Sequence, residues 1–204
     1  TVVLDAKPTD NVTVSITGDD STEHQLSASS LTFTTSNWNT PQTITVTGVD
    51  DNLDDGDITT TLTATASNTG GYAGTETATA TLQTSDDDSS GITIAQASTP
   101  LVTTEAGSTA SFTVVLDAKP TDNVTVSITG NDSTEHQLSS SSLTFTTSNW
   151  NTAQTVTVSG VDDNLDDGDI TTTLTATASN TGGYAAVSYT HLTLPTTGSV
   201  DGWV

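Results

Sequence analysis

The sequence has no cysteine, no methionine and no arginine, and its only two bases are Lys7 and Lys119. Without cysteine there is neither a disulfide framework nor a thiolate metal site. This is compatible with an exported protein. Against two bases stand 25 acids, giving a formal charge of −23. Such a chain cannot neutralise phosphates, which excludes nucleic acid and anionic membrane surfaces as partners. Cations, or a salty medium, suit it better. No apolar run approaches the length of a membrane span and no signal peptide opens the chain, so direct membrane insertion is not expected. Glycine-rich phosphate loops, nucleophile elbows and metalloprotease helices are missing too. Paired carboxylates could in principle cleave glycosides, but these acids sit in a loop that recurs in tandem. A non-enzymatic role is expected.

What is present is a repeat. "TVVLDAKPTDNVTVSITG" begins at Thr1 and again at Thr113, a period of 113 − 1 = 112 residues. Residues 1–73 and 113–185 differ at five positions: Asp19/Asn131, Ala28/Ser140, Pro41/Ala153, Ile44/Val156 and Thr47/Ser159. A period this long is a whole domain rather than a solenoid rung. Neighbouring repeats of the same chain are therefore the first partners to expect.

Within each unit threonine, serine, valine and alanine dominate, and apolar residues alternate with polar ones, the mark of half-buried strands. Val2 and Leu4 share a face of "TVVLD"; Val12, Val14 and Ile16 share one of "NVTVSIT". "LTFT", "QTITVTGV", "ITTTLTATA" and "TETATATLQ" follow the same rule. "GITIAQ" and "LVTTEAG" supply a first strand to the second unit that the first unit lacks. The sum is seven short strands, A to G. The fold class expected is all-β: two tandem immunoglobulin-like antiparallel β-sandwiches, the first without strand A. The division expected is 1–88, 89–185 and a tail, 186–204. Thr1 falls inside a strand, so the chain reads as a piece of something longer.

With strands alternating in direction, the A–B, C–D and E–F loops and the exit from strand G share one end of each sandwich. Those segments carry Glu105, then Asp19, Asp20 and Glu23, then "GVDDNLDDGD" from Gly48, and "DDD" at 86–88. The opposite end reads "AKPTD", "TSNWNTPQ" and "SNTGGYAG" and is nearly neutral. The acids converge on one pole. At an effective dielectric of about 20, two carboxylates ~4 Å apart repel by roughly 4 kcal/mol. Calcium takes six to eight oxygens, carboxylates mixed with carbonyls, and would relieve that repulsion. A solvated, salt-adapted acidic surface is the alternative, and composition alone does not separate the two. An EF-hand fails: Asp55 stands where glycine is required, and Thr61 where the closing glutamate would be.

"ITVTGVDDNLDDGD" followed by "ATATLQTSDDD" resembles the Calx-β motif, an immunoglobulin-like domain of exchangers, integrins and large bacterial surface proteins. The resemblance implies calcium (Ca2+) as cofactor. It implies side-chain ligands at Asp50, Asp51, Asp55, Asp86, Asp87 and Asp88, with the Leu53 carbonyl between. In the second unit it implies Asp162, Asp163, Asp167, the Leu165 carbonyl and Glu105. "STEHQLSASS" departs from the family's C–D segment, which leaves that loop without an implied ligand. "NWNTPQTITVTGVDD" is similar to repeats of very long bacterial adhesin-like proteins. That likeness implies a secreted or cell-surface location and a spacer role in adhesion or matrix assembly, with a cell-surface glycan or protein as a further partner.

Other residues carry weaker signals. Trp38 and Trp150, in "SNWNT", either plug the end of a core or, with Tyr72, offer a stacking surface to a sugar. His24 and His136 read as lone histidines in a polar loop, without a second ligand for zinc. After Ala185 the repeat breaks into "AVSYTHLTLPTTGSVDGWV", which resembles translated sequencing-adapter DNA. The tail is expected to be artefactual, and strand G of the second unit is left in doubt. Leu192 and Leu194 nonetheless keep the register of Ala80 and Leu82.

Overall fold

The computed structural model describes residues 1–162, 168–185 and 187–197. Among them every regular element is a strand. The chain forms two compact units: Thr1–Asp51 with Asp55–Asp86, and Asn52–Asp54 with Asp87–Val204.

The second unit is an antiparallel sandwich of two sheets. Its strands are β7 (Ile92–Gln96), β8 (Thr103–Thr104), β9 (Thr109–Leu116), β10 (Val124–Thr129), β11 (His136–Leu138), β12 (Ser142–Phe145), β13 (Gln154–Gly160), β14 (Ile170–Ala178) and β15 (Ser188–Thr197). One sheet runs β12-β10-β14-β15-β8 and the other β11-β13-β9-β7. The alternation places Phe112, Val114, Leu116, Val124, Val126, Val156, Val158 and Leu174 between the sheets, all within 2% of full burial. The first strand is divided, β7 joining one sheet and β8 the other, where it lies parallel to β15.

Two details depart from the seven-strand expectation. The polar segment after strand C contains an extra strand, β11, paired with the end of β13 through His136↔Gly160 and Leu138↔Val158. Its histidine is 0% exposed and belongs to the core. The reading of His136 as a loop residue is thereby corrected. Strand G of the second unit is formed, as β15, and Leu192 lies opposite Leu174 and Leu194 opposite Thr172. Leu194 is fully buried.

The first unit repeats half of this plan. β1 (Val12–Thr17), β3 (Ser30–Phe33), β5 (Ile58–Ala66) and β6 (Thr77–Thr84) form a sheet in the order β3-β1-β5-β6. Opposite it stands only the pair β2 (His24–Leu26) and β4 (Val46–Gly48), with the isolated bridge Val2↔Gln42 beside it. The core cluster is correspondingly small: Leu4, Val12, Val14, Phe33 and Ala66, with Trp38 and Tyr72 packed against it.

Backbone hydrogen bonds sort the loops of each unit into two ends. At one end of the second unit, Val161 N donates to Glu135 O (2.9 Å) and Gly160 N to Ser108 O (3.1 Å). The end of β13 is thus tied to the loops before β11 and β9. At the other, Leu116 N donates to Trp150 O (3.2 Å) and Thr121 N to Gly182 O (3.1 Å). Val49 N→Glu23 O (2.9 Å), Leu4 N→Trp38 O (3.1 Å) and Thr9 N→Gly70 O (2.9 Å) repeat the division in the first.

Candidate metal centre

The acidic end of the first unit is organised around Asp86, two residues beyond β6. Its Oδ2 accepts hydrogen bonds from Asp55 N (3.1 Å) and Gly56 N (2.7 Å). Asp86 N in turn donates to Asp57 Oδ1 (3.0 Å), and Gln83 Nε2 reaches Asp57 Oδ2 (3.1 Å). The loop between β4 and β5 is therefore clasped to the exit of β6. Gly56 makes the clasp possible, with φ +78 and its amide turned toward the carboxylate. A side chain there would strain the backbone.

Glu23, in the loop before β2, faces the same end. Burial raises its carboxyl above the ordinary glutamate value, and the charges of Asp55, Asp20 and Asp51 push it the same way. Mutual repulsion is thus already felt among acids from two loops. Asp20 differs: Thr22 donates its side-chain hydroxyl (2.6 Å) and its backbone amide (3.1 Å) to the Asp20 carboxylate and holds it below the usual range. Asp20 is committed to its own turn.

Of the residues expected as ligands, Asp50 and Asp87 are exposed and Asp88 is half-buried. Asp86 binds the loop of Asp55, as above. Asp51 lies close enough to act electrostatically on Glu23. Leu53 is half-buried and falls, with Asn52 and Asp54, in the second compact unit. There Asn52 O accepts from Lys119 N (2.6 Å) and Asp54 Oδ2 from Ser90 N (2.6 Å).

In the second unit Glu105 is 6% exposed and precedes the turn in which Ser108 Oγ accepts from Thr104 N (2.7 Å). Glu135, equally buried, occupies the place of Glu23. Asp162 is exposed at the end of β13. Asp163, Leu165 and Asp167 lie outside the described residues.

Glu23 and Glu135 were not among the expected ligands, although both face the acidic end. The signal lay in "STEH", which sets a glutamate directly before the buried histidine of the extra strand. The histidines do not gather ligands. His24 Nε2 lies 3.0 Å from Asp19 Oδ1 but out of line for a hydrogen bond. His136 Nε2 is 3.1 Å from Thr196 Oγ1. Burial lowers the His136 pKa, with Asp132 partly opposing the shift.

The neutral end is packed rather than open. Tyr184 is 1% exposed, and its hydroxyl donates to Ala118 O (2.6 Å) while accepting from Ala118 N (3.1 Å). Trp150 lies against the core cluster of the second unit.

The fold and the acidic end define the chain as an all-β protein of tandem immunoglobulin-like sandwiches. No protein-family model and no curated protein sequence matches it. Among solved structures it is similar to a protein of unknown function from Porphyromonas gingivalis W83. That match has TM-score 0.33 and 9% identity, over 92% of this chain and 85% of the other. It is also similar to CBD12 from CALX1.2, with TM-score 0.34 and 12% identity over 85% and 70% of the two chains.

Proposed function

We propose that the chain is a calcium-binding structural repeat of a large extracellular protein, acting as a calcium-stiffened spacer in adhesion or matrix assembly. The observation that carries this reading is the clasp at Asp86. It holds an aspartate-rich loop against the strand exit that leads into two further aspartates. The donor set is all oxygen and hard, which suits calcium rather than zinc or copper. Asp50, Asp51, Asp55, Asp86, Asp87 and Asp88, with the Leu53 carbonyl, are the proposed ligands. Asp162, Asp163, Asp167, Glu105 and the Leu165 carbonyl are the proposed set of the second unit. Bound calcium would offset the repulsion that adds to burial in raising Glu23, and so would stabilise the folded state over the unfolded one.

Neighbouring repeats are the proposed partners, the location is secreted or cell-surface, and no catalysis is assigned. Calcium titration of the chain by isothermal calorimetry, with melting followed in parallel, tests the reading. Saturable heat and a raised melting temperature are expected for calcium and not for equal ionic strength of sodium. Asp50→Asn with Asp51→Asn should abolish most of both. Equal stabilisation by sodium would leave only a salt-adapted spacer.

A further inference from the structure

The second unit holds an opening of about 670 Å³, bounded by β10, the turn that follows it, β11 and the end of β13. Volumes of about 300–1,000 Å³ are usual for small-molecule sites. Ile128, 4% exposed, and the half-buried Leu138 and Val161 give it apolar walls. Ser133 and Ser141, both exposed, bring hydroxyls to it. No acid and no lysine lines it, in a chain with 25 acids.

Two of its lining side chains keep a buried polar atom that has no hydrogen-bond partner among the described residues. Asn131 Nδ2 donates to His136 O (2.9 Å), which fixes the orientation of the amide and leaves Oδ1 unpaired. His136 Nε2 is 3.1 Å from Thr196 Oγ1, and its Nδ1 is unpaired. Burial lowers the pKa of this ring, so at neutral pH it is uncharged, with one nitrogen a donor and the other an acceptor. Buried polar atoms are nearly always hydrogen-bonded, and each exception calls for a cause. A ligand hydroxyl answers both atoms, because it donates to Oδ1 and either donates to or accepts from Nδ1.

The turn that carries Asn131 is preformed. Thr134 gives its hydroxyl (2.7 Å) and its amide (3.1 Å) to the Asp132 carboxylate, and His136 N donates to Asp132 O (2.8 Å). The first unit supplies a contrast at the same place. Its counterpart of Asn131 is Asp19, the one of the five differences that alters charge, and Asp19 Oδ1 lies 3.0 Å from His24 Nε2.

We propose that the opening in the second unit is a binding site for a neutral saccharide unit, its ring against Ile128 and Leu138 and its hydroxyls on Asn131 Oδ1 and His136 Nδ1. Apolar walls suit the C–H faces of a sugar ring, and uncharged partners suit its hydroxyls. An anionic sugar is opposed by the field of a chain with formal charge −23. The site stands apart from the calcium reading, since none of the proposed calcium ligands lines it.

The full chain, in chelator, is titrated with the methyl α-glycosides of glucose, galactose and mannose, with the free hexoses, and with glucuronate. Long-range proton–nitrogen NMR follows the ring nitrogens of His136. A saturable shift there is expected with at least one neutral sugar, while the His24 ring stays unmoved. Tighter binding of a glycoside assigns the end of a glycan chain as the source, and tighter binding of a free hexose assigns a solute. Glucuronate should bind at least about tenfold more weakly than its neutral counterpart. Asn131→Asp, which gives the turn the residue already present in the first unit, should weaken binding at least about tenfold. Ser133→Phe, at an exposed position, should block the opening while the circular dichroism spectrum stays unchanged. No shift at His136 with any neutral sugar, equal binding of glucuronate, or binding that survives either substitution would overturn the proposal.

Discussion

At the scale of single residues the repeat provides its own control, because one side chain can be compared in two surroundings. Tyr72 and Tyr184 make the same hydrogen bond, to Ala6 O (2.9 Å) and Ala118 O (2.6 Å), but only Tyr184 is fully buried. Tyr184→Phe should cost about 1–3 kcal/mol, the penalty of leaving a buried amide and carbonyl unpaired. Tyr72→Phe should cost less, and urea unfolding of the two variants measures the difference. His136 provides a second prediction. Its folded pKa is lowered by burial, so the unfolded chain binds a proton first as the pH falls. Stability should be level above the unfolded value of about 6.5 and should decline as the pH drops below it. Melts between neutral and mildly acid pH would show this, and His136→Gln should flatten the decline. That burial was illegible in the sequence, where a lone histidine among serine, threonine and acids reads as a loop.

At the scale of elements, strands with strict alternation were legible almost to the residue. "ITTTLTATA" is β5 in one unit and β14 in the other, from Ile58 and Ile170. Alternation works here because one face of each strand meets a core and the other meets water. Two elements escaped it for physical reasons. "HQL" is too short to show a period, and its inward residue is polar. "TVVLD" belongs to a strand in the second unit but makes only a bridge in the first, because strand formation there depends on neighbours and not on its own residues. Of the candidate site, the meeting of acidic loops followed from strand direction. Glu23 was placed at that pole by the same argument, but its half-burial was not legible, since its loop turns inward only because β2 exists. The clasp gives this scale its prediction. Asp86→Ala should raise amide exchange at Asp55 and Gly56 in chelator, where no ion can hold the loop. Unchanged exchange would mean that the loop keeps its form without the carboxylate.

At the scale of the whole molecule, two nearly identical sequences should differ in stability. The first core is confined to Leu4, Val12, Val14, Phe33 and Ala66, whereas the second continues through both sheets. Less apolar surface is removed from water in the first, and stability follows that area. Unfolding should therefore proceed in two steps, the first unit leading. Trp38 and Trp150 serve as separate reporters in a Trp203→Phe background, one emission change preceding the other on heating. A single coincident transition would show the two to be thermodynamically one.

The divided first strand of the second unit has a mechanical consequence. β8 lies parallel to β15, through Thr103↔Thr196 and Thr104↔Thr197. When a tether draws the chain apart from its two ends, these strands are dragged lengthwise past each other. Their interstrand bonds then strain together, where a hairpin pulled open at one end would release them singly.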